Sequence, residues 1–330
     1  MHGPPLFCCP RCQGPLSPQP ETWSCADCAS DYPLRHGFID FRTGKASDVD
    51  AQADSKLAEF LASREASCTF AELRAYYYSL KPEASDELHR RHESHFQAEA
   101  VRAKRVVQQL SEGPLLDLGC GAGQYLLAAA RSGIETVGVD ASLCQLILAR
   151  RLLADQGFNG QLALANVEQL PFPSRTFRSA VATDVLEHLH DPNLFLAETA
   201  RVLAPQGALW LTTPNRFSLT PEPHVGLWGA GWLPHSLAVR YVRARTGIDY
   251  NSIRLMSLRD LRLILERSFP AVEISLPTLA ASEIDAFSPL KRMLARAYRT
   301  VSRIGPLRPA LLRVTPYFEA TCRKQEPPPS

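Results

Sequence analysis

From residue 114 onwards, short apolar runs alternate with stretches in which apolar residues recur at helical spacing. The runs predict strands over residues 115–118, 134–139, 161–165, 179–182 and 207–212. The stretches predict helices near 124–131, 142–156, 193–203 and 257–267, and two further strands follow near 272–276 and 317–322. Strand–helix alternation of this kind predicts an α/β fold, in which helices cover both faces of a parallel sheet.

Two other patterns precede this region. Residues 48–110 are polar, contain few Gly or Pro, and end in a stretch over 86–110 that predicts one long helix. Residues 1–44 are rich in Cys, Pro and turn residues. They are too few to form a stable hydrophobic core without a metal ion or disulfide bonds. We therefore predict a small amino-terminal domain over 1–44, a helical linker or cap over 45–110, and an α/β domain over 111–330.

Composition narrows the class of protein. The chain has 330 residues, of which 45% are hydrophobic and 21% charged, as in ordinary globular proteins. A net charge of +2 gives no overall field for nucleic acid. No apolar run approaches the ~20 residues of a membrane span, and the first residues lack a basic leader and an apolar signal core. We expect a cytoplasmic protein.

Five of the nine cysteines lie within the first 28 residues. Cys9 and Cys12 form one C-x-x-C pair, and Cys25 and Cys28 form another. Four thiolates at this spacing predict a closed, structural zinc site in a reducing compartment. Cys8 is an alternative to Cys9, although the spacing favours Cys9. A ribbon that packs without metal is the competing interpretation.

A glycine-rich loop follows the first predicted strand of the α/β domain. Asp117-Leu118 runs into Gly119-Cys120-Gly121-Ala122-Gly123, and glycines allow a ligand to approach the backbone at the carboxyl end of such a strand. The nicotinamide fingerprint fails, because Gln124 or Leu126 stands where its third glycine belongs. The Gly-Lys-Ser/Thr of a P-loop is also absent from the sequence. Asp140, which ends the second strand, suits bonding to ribose hydroxyls.

The D-x-G-x-G-x-G pattern over 117–123 resembles motif I of class I S-adenosylmethionine (SAM)-dependent methyltransferases. Asn166 to Pro173 and Ala180 to Leu189 resemble later motifs of the same family, in the same order, so that the resemblance covers residues 115–216. It implies a Rossmann-like fold with a seven-stranded, mostly parallel sheet and SAM as cofactor. Ser30 to Phe41 resembles the tail of a zinc-ribbon family that includes the small activator subunit of tRNA and protein methyltransferases.

The methyltransferase resemblance assigns roles to individual residues. It implies that Asp117 lies near the amino-acid end of SAM, with Gly119 and Gly121 making room for it. Asn166, where the family usually has Asp, would meet the adenine amine, and Val167 would offer its backbone to the ring. The predicted cofactor-binding set is Asp117, Gly119, Gly121, Gly123, Asp140, Asn166, Val167 and Thr183.

His188, just beyond the fourth strand, is the candidate catalytic base; the alternative is a histidine that braces the next helix. Asp184, Glu187 and His188 form D-x-x-E-H, which is similar to the E-x-x-E-H with which ubiquinone-pathway O-methyltransferases recruit a divalent ion. The three residues would share a face of one helical turn. We nevertheless favour a metal-free interpretation, so that magnesium is a possible but not favoured cofactor.

Two segments interrupt the α/β pattern. Residues 213–250 concentrate Trp, Gly, Pro and His, which favours an acceptor-binding lid, with Glu222 and His224 as acceptor contacts, over a packing loop. Residues 286–313 form a basic amphipathic insertion. Its apolar stripe either packs on the domain, which we favour, or lies at the inner membrane face through 286–304.

The sequence is compatible with three functions. The first is methyl transfer to a small molecule or lipid-linked metabolite. The second is methylation of an RNA base, with the zinc ribbon holding the nucleic acid. The ribbon has no basic excess, and Thr183-Asp184-Val185-Leu186 replaces the loop that exocyclic amines need, so nucleic acid is the less favoured partner. The third is a non-catalytic SAM-binding partner subunit.

Overall fold

The computed structural model describes residues 6–42, 48–80, 86–110, 113–279, 284 and 289–325, and for 48–53, 86–92 and 289–291 the backbone alone. These residues form two compact units. The first comprises Met1–Val181 and Arg201–Gly207, and the second comprises Ala182–Ala200 and Ala208–Ser330. The division into three parts over 1–44, 45–110 and 111–330 stays a prediction.

The first unit begins with a four-stranded antiparallel ribbon. Its strands are β1 (Leu16–Pro18), β2 (Thr22–Cys25), β3 (Asp31–Arg35) and β4 (Phe38–Ile39), and each pairs with the next. The turn between β3 and β4 consists of His36 and Gly37, both at positive φ. Two such residues give a hairpin turn whose twist matches that of the flanking strands.

Three helices follow the ribbon: α1 (Asp48–Glu65), α2 (Phe70–Ser79) and α3 (Asp86–Val107). Thr69 and Glu72 form a reciprocal capping box that fixes the start of α2. Leu61 of α1 and Leu73 of α2 are fully buried in one hydrophobic cluster with residues of a later helix. The predicted long helix over 86–110 is therefore present, although it ends at Val107.

Seven strands form a mixed sheet in the order β10-β11-β9-β8-β5-β6-β7. They are β5 (Leu115–Leu118), β6 (Thr136–Asp140), β7 (Gln161–Leu164), β8 (Phe177–Thr183), β9 (Leu203–Pro214), β10 (Ala271–Ser275) and β11 (Tyr317–Arg323). β5, β6 and β7 pair in parallel, whereas β9, β11 and β10 pair antiparallel. The Rossmann-like fold with seven strands is confirmed. The antiparallel pairs make the sheet mixed.

Helices lie between these strands, and four of them match the helices that the apolar spacing predicts near 124–131, 142–156, 193–203 and 257–267. The helices are α4 (Gln124–Arg131), α5 (Leu143–Asp155), α6 (Pro192–Val202), α7 (His235–Thr246), α8 (Leu258–Ser268), α9 (Pro289–Val301) and α10 (Arg308–Val314). Ser142 caps α5, and Ser257 with Asp260 forms a capping box at α8. Among the described residues, no helix combines the length and apolar character needed to cross a membrane.

The ribbon packs against the β7 edge of the first unit. Asp40 forms a parallel bridge with Leu164, and the Phe41 amide donates to the Leu164 carbonyl over 2.7 Å. The Cys8 amide donates to the Pro171 carbonyl over 2.9 Å. The Phe7 ring lies against the rings of Phe41 and Phe172. Because the Leu164 carbonyl at the end of an edge strand is paired in this way, fewer of its backbone groups are exposed.

Candidate functional site

The loop after β5 needs glycine for its backbone conformation. Gly119, Gly121 and Gly123 have φ values of 71°, 49° and 87°, which side chains with a Cβ seldom adopt. A Cβ at Gly121 would meet no atom within 4 Å, so the backbone there is open to a ligand. A Cβ at Gly123 would lie 3.1 Å from that of Ala149 in α5, so this glycine also permits close helix packing.

Asp140, at the end of β6, faces the same loop. Its Oδ2 accepts from the Gly121 amide over 2.9 Å, and its Oδ1 accepts from the Ser142 amide over 2.8 Å. Burial raises the pKa of Asp140 to about 6, although these backbone donors act in the opposite direction. Each carboxylate oxygen keeps acceptor capacity beyond one amide, which suits a pair of ribose hydroxyls.

Asp117 is buried at the carboxyl end of β5. Its Oδ2 has no hydrogen-bond partner among the described residues. Burial raises the pKa of Asp117 well above its ordinary value, and the charges of Glu99 and Asp140 raise it further. A buried acid beside two others favours a cationic ligand, and the α-ammonium group of SAM has that charge. Glu99 lies on α3, ahead of the recognised motifs, so sequence comparison missed it.

The remaining predicted cofactor residues lie after β7 and β8. Asn166 and Val167 follow β7 in the first unit, where Val167 is buried and the Asn166 carbonyl accepts from the Gln169 amide. The Gln169 side chain donates to Pro10 of the ribbon over 3.0 Å. Thr183 is the last residue of β8 and belongs to the second unit.

A cluster of titratable side chains lies in the second unit. Glu187 and His188 belong to a short 3₁₀ helix, and His224 comes from the segment predicted as a lid. Their ligand atoms all lie within 4.8 Å of one another. The rings of His188 and His224 meet edge to face with centroids 5.1 Å apart. The sequence pointed to both histidines separately, but nothing in their spacing predicted that they meet.

Buried carboxylates hold His224 from both sides. Glu222 Oε1 lies 2.5 Å from His224 Nδ1, and Glu222 Oε2 accepts from the Val225 amide over 2.8 Å. On the other side, Glu187 Oε1 lies 3.7 Å from His224 Nε2, while Glu187 Oε2 accepts from Thr213 Oγ1 over 3.0 Å. No hydrogen bond reaches Glu187 Oε1 from the described residues.

This arrangement separates the pKa values of the groups. Burial raises the pKa of Glu187 to about 8. Burial disfavours the charged form of His224, but the hydrogen bond and charge of Glu222 outweigh it, so that the pKa of His224 rises. Burial, followed by the neighbouring His224, lowers the pKa of His188 to about 4. At neutral pH, His188 is therefore the neutral ring of the pair.

Asp184 does not join this cluster. Its φ of 54° takes the chain out of a helical turn, and its Oδ1 accepts from Thr212 Oγ1 over 3.0 Å. The expectation that Asp184, Glu187 and His188 share one helical face is therefore wrong. The group that does assemble has two imidazoles and one carboxylate, whereas magnesium prefers oxygen donors. Nothing in the site supports magnesium.

The segment predicted as a lid has a core of its own. Val225, Ala230, Ala238, Val242 and Tyr250 are buried together. The Trp232 indole donates to the Ser218 carbonyl over 2.9 Å, which fastens the two ends of the loop. Tyr250 lies close to Glu222, and burial raises the pKa of its hydroxyl, with Glu222 adding to that effect. The packing thus fixes Glu222 and His224 in place.

The four predicted zinc ligands lie together in the ribbon. Cys9 Sγ and Cys28 Sγ are 3.5 Å apart, Cys12 Sγ and Cys25 Sγ are 3.4 Å apart, and all four lie within 4.8 Å. Cys8 lies outside the group, and its amide donates to Pro171. The cluster therefore uses Cys9 and not Cys8. Four thiols at these distances suit a tetrahedral metal ion.

Comparison with known proteins identifies the family. The model of a methyltransferase domain matches residues 116–211. A ubiquinone biosynthesis O-methyltransferase of Parvibaculum lavamentivorans is 31% identical over 191 residues, which are 55% of this chain and 73% of that protein. The chain belongs to the family of SAM-dependent methyltransferases, and it is an enzyme of that class.

Other relatives match over shorter lengths. A ubiquinone biosynthesis O-methyltransferase of Bartonella tribocorum is 34% identical over 102 residues, 31% of this chain and 41% of that protein. Across this and six similar relatives, the chain spans 40–46% of their length. A SAM-dependent methyltransferase structure from Mesorhizobium loti has a TM-score of 0.47 at 19% identity, covering 69% of this chain and 98% of that one.

Proposed function

We propose that this enzyme transfers the methyl group of SAM to a hydroxyl of a small-molecule or lipid-linked acceptor. The observation that carries the proposal is the cluster of Glu187, His188, His224 and Glu222 in the second unit. An oxygen acceptor must lose its proton when it is methylated, and a positioned histidine contributes typically 10²–10⁴-fold to such a step. The relatives named as O-methyltransferases support the same class of acceptor.

Within this cluster we assign the proton acceptor to His188. His188 is more exposed to solvent than His224, which lies between Glu222 and Glu187. Glu222 favours the proton on His224, and burial together with the charge of His224 lowers the pKa of His188 and keeps its ring neutral. A neutral imidazole can take the acceptor proton. His224 is then a positioning residue that sets the protonation state of His188.

Residues of the first unit would hold the cofactor. Asp140 would accept from the ribose hydroxyls, and Asp117 with Glu99 would face the ammonium group. Asn166 and Val167 would meet the adenine, and the three glycines would leave room for the methionine part. Bound SAM supplies an electrophilic methyl group. The residues of the chain therefore have to orient this methyl group towards the acceptor and exclude water from the site.

We also propose a structural zinc ion held by Cys9, Cys12, Cys25 and Cys28. The short sulfur–sulfur distances support it. With four protein ligands no position is left for a substrate, so this ion would stabilise the ribbon and take no part in methyl transfer.

The decisive experiment is transfer of a labelled methyl group to a panel of phenols and hydroquinones, each tested with and without an isoprenoid tail. We expect label in an ether product, and a fall in kcat of about 10²–10⁴-fold for His188→Ala with an unchanged Kd for SAM. His190→Ala, an exposed histidine two residues away, is the matched control. Labelling of co-purified RNA with no labelled ether from any acceptor would contradict the proposal.

A further inference from the structure

We infer that the segment Arg292–Val314 of the second unit forms a surface that docks on anionic phospholipid membranes. We refer to this segment, which holds the described side chains of α9, the following turn and α10, as the carboxyl-terminal basic surface. The inference goes beyond methyl transfer, because it does not depend on which acceptor the enzyme uses.

The first argument is the exposure of large apolar side chains. Met293 is 60% exposed, Leu294 58%, Ile304 46% and Leu307 43%. Four of the twelve exposed large hydrophobic residues in the described part of the chain thus fall within fifteen consecutive positions. Scattered single apolar residues are normal on a protein surface, but a local concentration marks an interaction site.

The second argument is that α9 is anchored by its opposite side. Ala295 is buried, and the Tyr298 hydroxyl donates to the Pro277 carbonyl over 3.4 Å. These contacts fix the orientation of the helix. Met293, Leu294 and Ala297, at other angles around it, are exposed. The apolar stripe expected to pack on the domain is therefore divided between an anchored side and an exposed one.

The third argument is charge. From Arg292 to Arg313 the sequence contains six arginines and no acidic residue. Four of them, at positions 296, 303, 308 and 313, are exposed. A surface that combines exposed Met and Leu with a pure excess of Arg complements anionic headgroups above an apolar layer. A protein partner would have to supply a strongly acidic face instead.

The geometry also favours a peripheral mode of binding. α9 has 13 residues and carries several arginines, and no described helix can cross a membrane. A short helix with one apolar face and flanking cations lies in the interface plane and inserts its apolar side chains between headgroups. Arginine stems add apolar length while their guanidinium groups stay at the phosphates.

The test is co-sedimentation of the full-length enzyme with vesicles of phosphatidylcholine alone or of phosphatidylcholine with phosphatidylglycerol. We expect binding to the anionic vesicles, a decline with added salt, and weak binding to the neutral ones. The double variant Met293→Ser/Leu294→Ser and the double variant Arg303→Gln/Arg308→Gln should each lower the partition coefficient about tenfold.

The matched control is Leu237→Ser/Leu263→Ser, since both leucines are 48% exposed on α7 and α8. Circular dichroism and methyl transfer to a water-soluble acceptor check that each variant is folded and active. The inference is overturned if the wild type does not sediment with anionic vesicles, or if the control variant loses as much binding. It is also overturned if the Met293/Leu294 variant instead abolishes a dimer seen by light scattering. None of these results bears on the methyl-transfer proposal, which the labelling experiment tests separately.

Discussion

We expect Asp140 to couple SAM binding to pH. It lies at the end of β6, where burial raises the pKa of its carboxyl to about 6. Ribose hydroxyls donate to the ionised form, so protonation removes the interaction. We therefore expect the Kd for SAM to be constant above this pH and to weaken as the pH falls through it, approaching tenfold per unit at lower pH.

Isothermal titration calorimetry between pH 5 and 8 would measure this effect. Asp140→Asn should bind SAM more weakly at pH 8 and should lose the pH dependence. Asp249→Asn, which changes an exposed carboxylate of the second unit, should keep the wild-type profile. An unaltered pH profile in Asp140→Asn would assign the titration to another group.

If Glu222 sets the protonation state of His224, its substitution should change the pH dependence of the reaction. A residue that only holds the loop in place would not have this effect. Glu222→Gln keeps the side-chain volume and a polar contact to His224, but removes the charge that favours the imidazolium. With His224 neutral, the pKa of His188 should rise, because the charge of His224 lowers that pKa by more than the charge of Glu222, which the variant also removes, raises it. We expect the acidic limb of the kcat profile to move to higher pH.

The control for Glu222→Gln is Glu266→Gln, an exposed glutamate on α8. A loss of kcat at every pH, with the acidic limb unmoved, would mean that Glu222 only holds the loop through its bond from Val225.

At the scale of elements, periodicity located the seven strands of the large sheet and four of the helices between them, but neither the ribbon strands nor α7. Its errors have physical causes. β9 begins at Leu203, four residues before the predicted 207, because Ala204-Pro205-Gln206-Gly207 has the composition of a turn although the chain stays in the strand. The D-x-x-E-H motif was read as one helical turn, but a positive φ at Asp184 has no signature in the sequence. Propensity describes local preference, and here tertiary contacts from Thr212 override it.

The proposed zinc site of the ribbon yields a prediction at the same scale. Cys9→Ser removes one of four clustered thiols, whereas Cys8→Ser changes the neighbouring buried thiol outside the cluster. We expect about one zinc per chain in the wild type and in Cys8→Ser, and a large loss in Cys9→Ser, because three ligands hold a structural ion much less firmly. Metal analysis by mass spectrometry measures the ratio. Equal zinc in both variants would show that the ribbon does not use this site.

At the scale of the whole molecule, the sequence predicted the parts better than their contacts. The cofactor loop and the cysteine pairs carry their own signals, since each consists of neighbouring residues with fixed spacing. The approach of Glu99 to Asp117, and of His224 to Glu187, joins residues that are distant along the chain. A single sequence contains no signal for such long-range contacts, so only the three-dimensional structure reveals them.

Within the first unit, Arg42 links the ribbon to the carboxyl end of β6. Its side chain bonds Asp40 over 2.8 and 2.9 Å, and its Nη1 donates over 3.0 Å to the carbonyl of Ala141, the residue after Asp140. Asp40 in turn bridges to Leu164 at the sheet edge. The ribbon therefore contacts the strand end that carries Asp140, the proposed ribose ligand, so we expect a change at Arg42 to affect SAM binding.

Arg42→Ala should raise the Kd for SAM about three- to tenfold, because the Ala141 carbonyl loses a charged donor and the strand end is held less firmly. Arg35→Ala is the matched control, since Arg35 bonds the same Asp40 carboxylate over 2.8 Å but Ala141 is bonded by Arg42. Both variants weaken the ion pairs of Asp40, so thermal unfolding should report similar small losses of stability. Calorimetric titration with SAM should separate them: equal affinities would mean that the ribbon supports the fold alone, whereas a weaker Arg42→Ala would make it part of the cofactor site.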